Sequence, residues 1–461
     1  MVWLSREAAR AGGGAMGEEP ESAVYGPRAQ LAASERQLQR YRQLAADDPG
    51  LEPDLADRLH EVGADLQKVG REPEALAATE EAMEIWRRLA AADPAAYEPD
   101  LARCLDSLGL YLEQVGRYRE AVAAAGQSVQ LYRRLAAADP AAHEPGLSAA
   151  LSRYGADLGA VGRSLEALSM EQEAVQIRRR LAAADPAAHE PDLASSFGNL
   201  GNRLANAGRH REALAADEQS AQLYRRLAAA DPATFEPELA RVLSNLGGRL
   251  AQAGRAREGL GAERQAVRIR RRLAAADPAA HEPDLARSLH NLAVRLMPMR
   301  TRMWQAIGAI EQAEEIFRRR AANNPAVYEP EFAQCLQTFG IILAHGRLYG
   351  SGLAPTELSV EIYQRLAAAE PAAHEPGLAL SLHTLGRLLS HKRRRPEALT
   401  AIEQAIELYR RHVALSPGLA PKLRFAQQDQ AALFDKLGRA QEARDLRRRL
   451  KAEPGDSGSG D

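Results

Sequence analysis

Cysteine is nearly absent from this chain. Cys104 and Cys335 are the two in 461 residues, they lie far apart, and neither belongs to a C-x-x-C pair. That argues against a disulfide framework and against a cysteine zinc site. Aromatic residues make up 5% of the chain, so the core has to be mostly Ala and Leu, which favours helix over sheet. An excess of charge is missing as well. Sixty Lys and Arg face 62 Asp and Glu, a formal charge of −2, which gives no general pull toward nucleic acid or an anionic membrane. No apolar run is long enough to span a bilayer, and the apolar start of MVWLSREAARAGGGAMG is too short for a secretory leader. A cytoplasmic chain is the expectation. Signatures of chemistry are missing too: no G-x-x-x-x-G-K-[ST], G-x-G-x-x-G after a strand, H-E-x-x-H or G-x-S-x-G occurs. The sequence predicts no enzyme and no cofactor.

What is present is a repeat. One proline near each Ala-rich run falls at Pro49, Pro94, Pro140, Pro186, Pro232, Pro278, Pro325, Pro371 and Pro417, with spacings of 45, 46, 46, 46, 46, 47, 46 and 46. A fixed period of this size means a solenoid. Residues 191–236 show the logic of one unit. Pro191 and Asp192 suit the first turn of a helix, where a missing N–H costs nothing and negative charge meets the dipole. Leu193, Phe197, Leu200 and Leu204 form one helical stripe, and Gly208 closes the helix. A second helix runs from about Glu212 to Ala229 and stops at Asp231-Pro232. Strand signals are absent. The count is half a repeat at about 28–46, eight hairpins whose first helices start at Pro53, Pro99, Pro145, Pro191, Pro237, Pro283, Pro330 and Pro376, and a shortened last hairpin at about 421–450. Residues 1–27 read as a flexible segment in which Met16 could be the true start. The tail 451–461 has the composition of a disordered linker.

Small residues recur at matching places. Gly63, Gly109, Gly155, Gly201, Gly247, Ala293, Gly340 and Gly386 lie midway along the first helices. Gly70, Gly116, Gly162, Gly208 and Gly254 mark the turns, and Ala75, Ala121, Ala167, Ala213, Ala306, Ala398 and Ala443 open the second helices. A larger side chain at the contact would hold the two helices apart. This pattern resembles the tetratricopeptide repeat, in the long-helix form of kinesin light chains and many bacterial arrays. The resemblance implies an all-α, right-handed α/α superhelical solenoid. It also implies a non-enzymatic scaffold that holds a peptide or protein segment in a concave groove lined by the first helices. A second reading, also implied by proteins of this kind, is a regulatory or sensor array acting with a nucleotide-binding switch or a protease-like module.

Facing positions in the implied groove are Asn199, Asn202, Arg241, Asn245, Arg287, His290 and Asn291. An Asn ladder can hydrogen-bond the main chain of an extended peptide without reading its sequence, because the amide both donates and accepts. Family members that bind chaperone tails use a carboxylate clamp. Asn202, Asn245 and Arg287 fall on three of its five positions, while Gly198 and Asn291 stand where the family has basic residues. A weaker version has Arg241 and Arg287 attracting a carboxylate. The segment Met297-Pro298-Met299-Arg300-Thr301-Arg302-Met303-Trp304 breaks the pattern, as does Tyr349-Gly350-Ser351-Gly352. Pro298 should shorten its helix, a bend over 297–355 is expected, and Met297, Met299, Met303 and Trp304 form a candidate docking segment. His143, His189, His281 and His374 share one place in an A-A-H-E-P loop, yet Tyr97, Phe235 and Tyr328 hold it elsewhere, which points to packing rather than metal. The runs Arg178-Arg179-Arg180, Arg270-Arg271-Arg272 and Arg318-Arg319-Arg320 end second helices and read as dipole complements with i,i+4 partners, not as a nucleic-acid surface. Lys392-Arg393-Arg394-Arg395 reads as a solvated turn.

Overall fold

The computed structural model describes residues 26–452. The N-terminal segment up to residue 25, with Met16, and the tail beyond 452 lie outside the described residues. Nineteen α-helices and no strand occur among those described. A single helix, α1 (Pro27–Asp47), comes first. Eight hairpins follow: α2 (Glu52–Lys68) with α3 (Glu72–Ala92), α4 (Pro94–Gln114) with α5 (Tyr118–Ala138), α6 (Pro140–Ala160) with α7 (Ser164–Ala184), α8 (Pro186–Asn206) with α9 (His210–Ala230), α10 (Pro232–Gln252) with α11 (Ala256–Ala276), α12 (Pro278–Leu296) with α13 (Met303–Asn323), α14 (Pro325–His345) with α15 (Leu353–Ala369), and α16 (Pro371–His391) with α17 (Arg395–Val413). A shorter pair, α18 (Ala420–Lys436) and α19 (Ala440–Ala452), ends the array. The chain divides into two compact units at Ala216/Asp217.

Seven first helices begin earlier than the sequence suggested. They start at the Asp-Pro, Asn-Pro or Glu-Pro step that also ends the preceding helix, so Pro99, Pro145, Pro191, Pro237, Pro283, Pro330 and Pro376 lie inside helices. In five of them the aspartate is the reason. Asp93, Asp139, Asp185, Asp231 and Asp277 each accept from the backbone N–H three residues on, at 3.1–3.2 Å, and a proline follows at the first helical position. The A-A-H-E segment behind this cap is therefore helical, not a loop. The inner proline then costs one backbone hydrogen bond in the second turn. The expected start holds at the two end hairpins, α2 and α18. There Gly50 or Gly418 follows the proline, and the poor helix former leaves a 3₁₀ turn instead.

The turns repeat one geometry. Gly116 sits at φ 79°, its N–H donates to the Glu113 carbonyl, and the Arg117 N–H reaches back to Leu112 at 2.8 Å. Where the hairpin crosses, the first helix carries a small residue. A methyl group on Gly155 would stand 3.1 Å from the Ala167 carbonyl oxygen, and one on Gly386 would stand 3.0 Å from that of Ala398. The core is Ala and Leu with few rings. In the second unit it runs without a break from Leu260 to Ala443, through the irregular hairpins. Pro298 does shorten α12, to 19 residues.

Candidate functional site: the first-helix face

Within each unit the first helices form the closer-packed row. In the first unit α4 touches α6 and α6 touches α8. In the second, α10, α12, α14, α16 and α18 touch in succession. Neighbouring second helices reach each other through long side chains, as in Arg42–Glu81 at 2.5 Å, Arg133–Glu173 at 2.6 Å and Arg271–Gln312 at 2.8 Å. A stack spaced unequally in this way curves toward its tighter side. In each unit the first helices therefore line the inner face.

The candidate groove residues take different roles on that face. In the first unit, Asn199 on α8 is half-buried and its amide has no partner among the described residues, while Asn202 is exposed. In the second unit, the amides of Asn245 on α10 and Asn291 on α12 also lack partners among the described residues. Arg241 is held by Glu238 one turn earlier, at 2.7 Å. Arg287 bridges Asp284 and Glu331 of α14, both at 2.7 Å. His290 bonds the Thr338 hydroxyl at 3.0 Å, and burial pushes its imidazole down to about 4, so it is neutral near pH 7. Arg287 and His290 thus stitch α12 to α14.

That stitching is general, and the sequence reading missed it. Asp57 pairs with Arg103 at 3.1 Å, the Gln337 amide donates to Ser381 at 2.8 Å, and His383 bonds Asp429 at 2.9 Å. Each joins a first helix to the next. The available signal was complementary polar residues about one period apart.

A second missed feature lies where each unit's helices cross. In the first unit Glu171 is fully buried and accepts from Ser152, while Arg178 bonds Ser148, Ser152 and Ser196. Two periods later the same set recurs in the second unit. Glu263 accepts from Ser244 at 2.9 Å and from Arg295 at 3.1 Å, and Arg270 bonds Ser244 and Ser288. Burial pushes both carboxyls up and both guanidiniums down. So Arg178 and Arg270, read as dipole complements with i,i+4 partners, are buried among serines. Arg180 and Arg272, the last arginines of two of those runs, are exposed but matched within their own hairpin, Arg180 with Glu144 at 2.6 Å and Arg272 with Glu236 at 2.5 Å. These partners sit on the first helix, whereas in the third run Arg318 pairs at i,i+4 as expected, with Glu314 at 3.5 Å.

Two other candidates change character. Met297, Met299 and Met303 pack on the core, leaving Trp304, 75% exposed, as the outward residue of the proposed docking segment. The histidine place is helical and ring-packed: Tyr97 lies 6.0 Å from Trp86 and His374 lies 6.5 Å from Tyr363.

Comparison with known proteins comes last. A search of curated proteins finds no match. The family described as tetratricopeptide repeat matches at residues 55–94, 101–141, 193–232 and 378–414. Among solved structures, a signal transduction ATPase with numerous domains that carries a tetratricopeptide repeat sensor, from Pyrococcus horikoshii, superposes with a TM-score of 0.52. It is 13% identical and covers 91% of this chain and 57% of its own. BtubC (BKLC) from P. vanneervenii gives 0.44 at 19% identity, over 54% of this chain and 92% of that one. TPR-like repeats of a candidate kinesin light chain from Podosopora anserina give 0.38 at 21% identity, over 48% and 96%. With the family's repeat matched at four sites and helical hairpins recurring through the described residues, the chain is a tetratricopeptide repeat protein.

Proposed function

We propose that this chain is a non-enzymatic scaffold that holds an extended peptide or protein segment on the inner face of its first helices. The observation that carries this reading is the pair of unpartnered amides, Asn245 and Asn291, at the same place in successive hairpins of the second unit. Polar groups that the fold leaves unsatisfied on an otherwise stitched face are available to a ligand. An amide can pair with both the N–H and the C=O of a peptide main chain. Asn199 holds the equivalent place in the first unit. Arg241 and Arg287 flank the row, but each already holds a carboxylate, so a carboxylate-clamp role would need those pairs to open. The partner is a protein, not a nucleic acid or a membrane. No described helix is long and apolar enough to cross a bilayer, and a cytoplasmic location fits this reading.

The test is selection of peptide ligands from a displayed library on the intact chain, followed by affinities for Asn245→Ala with Asn291→Ala. Weaker binding by about tenfold is expected from losing two hydrogen-bonding amides. Unchanged affinity would remove this face as the site.

A second reading, a sensor array serving a nucleotide-binding switch, draws on the Pyrococcus horikoshii structure, whose tetratricopeptide repeat sensor belongs to a signal transduction ATPase. An ATPase gene beside this one would favour it.

A further inference from the structure

Six hairpin turns place glycine in the left-handed region: Gly70, Gly116, Gly162, Gly208, Gly254 and Gly438, with φ between 74° and 80°. At the α14–α15 and α16–α17 turns that place belongs to Arg347 and Arg393, each at φ 61°. The backbone geometry is the same. Leu348 N–H donates to Leu343 at 2.8 Å and Arg394 N–H to Leu389 at 3.0 Å, as Arg117 does to Leu112. An L side chain is disfavoured there and glycine is not. Two adjoining turns therefore carry a strained arginine where a strain-free residue serves elsewhere in the array. Strain of this kind collects at functional positions.

The charge pattern changes at the first of these turns, while at the second Arg394 still grips Glu397. In the regular turns the residue after glycine is an arginine that grips a glutamate three residues on, and often one on the preceding second helix. Arg117 holds Glu120 and Glu80, and Arg255 holds Glu258 and Glu218. After Arg347 comes Leu348, and Ser351 stands where the glutamate would be. Arg347, Lys392 and Arg393 are exposed and have no acidic partner among the described residues. Three nearby acids are committed, Glu397 to Arg394, Asp429 to His383 and Asp435 to Arg447, and Glu357 acts on Arg394 rather than on these cations.

The two turns lie side by side. Tyr349 and His391 stack with ring centres 3.9 Å apart and planes 4° from parallel. Lys436 donates to Ser390 at 3.2 Å, and Arg395 donates to the Lys436 carbonyl at 2.8 Å. The Lys392 ammonium lies beside Gly350. After burial, Lys436 and Arg387 push the His391 imidazole down, against the opposing pull of Asp429.

We propose that these turns, residues 345–352 and 390–395 with Lys436, form a docking surface for an acidic peptide segment, separate from the first-helix face. Guanidinium and ammonium groups supply charge-assisted bonds to carboxylates, and the flat Tyr349–His391 pair supplies a platform for a peptide plane or a ring. A nucleic acid fits less well. The patch offers one stacked pair rather than the series of aromatics that single strands use.

The experiment uses the full chain and a fluorescein-labelled peptide of alternating glutamate and glycine, read by anisotropy at low and physiological ionic strength. Arg347→Gly with Arg393→Gly installs the residue of the other turns, so the fold is kept and its melting temperature should hold or rise. Affinity should fall at least about tenfold. Removing two arginines elsewhere, Arg87→Gln with Arg119→Gln, should leave it unchanged. The proposal fails if wild type does not bind at low ionic strength, if the turn variant binds as wild type does, if the Arg87/Arg119 control loses as much, or if an oligothymidine binds more tightly than the peptide.

Discussion

Gly247 and Gly248 are neighbours in α10, yet alanine should move stability in opposite directions at the two. Both substitutions gain the same helix preference, about 1 kcal/mol. At Gly248 the new methyl would meet only the Arg295 guanidinium, at 3.5 Å, an ordinary contact. The gain survives, and Gly248→Ala should stabilise by about 0.5–1 kcal/mol. At Gly247 the methyl would stand 3.0 Å from the Gly259 carbonyl oxygen and 3.5 Å from the buried Glu263 carboxylate. The first of these is backbone and cannot rotate away, so α10 and α11 must separate. Overpacking of this kind costs about 1–3 kcal/mol, which cancels or exceeds the propensity gain. Gly247→Leu should be worse still. Urea unfolding followed by helical circular dichroism measures the difference, and each 1 kcal/mol corresponds to about 2–4 °C for a unit of this size. Equal shifts in the same direction for the two alanine variants would refute the argument that small residues set the helix approach.

The remaining predictions concern buried charge. Asp157 is 1% exposed, and neither carboxylate oxygen has a hydrogen-bond partner among the described residues. Burial, then Glu113, pushes its carboxyl up to about 7. Between its ordinary value and 7 the folded chain holds a proton that the unfolded chain has released, so stability falls as pH rises through that window. The loss is up to about 4 kcal/mol at 1.4 per unit. Asp157→Asn should flatten this slope and melt higher than wild type at about pH 8, so a variant with the wild-type pH profile would contradict it. Glu263→Ala strands Arg295 and Arg270 without their buried carboxylate and should cost about 3–5 kcal/mol. Glu263→Leu with Arg295→Leu should recover much of that in the same denaturation assay, and a double variant no better than the single one would mean the pair is not the unit of stability.

The helical hairpins were legible because their causes are local and repeated. Asp-Pro stops, Gly turns and small residues midway along the first helices recur about every 46 residues, and any one unit predicts the next. Where local chemistry competed, the reading slipped. Pro191 looks like a helix start until Asp185 is seen to cap the segment before it. Arg178 and Arg180 stand two residues apart in one arginine run, yet one is buried among serines and the other is solvated beside Glu144. No composition rule separates them, because helical rotation and the neighbouring hairpin's serines decide it.

By itself, then, the sequence determined the element type, the hairpin count and the all-α class, since a stripe of Ala and Leu with period-fixed small residues can be buried only by stacking the next hairpin. Tertiary structure alone decided which polar groups remain free. Arg287 and His290 are taken by Glu331 and Thr338 of the following first helix, while Asn245 and Asn291 are not. The physical reason is reach: a hydrogen bond forms within about 3 Å, and whether two side chains a period apart close that distance depends on how tightly their helices pack.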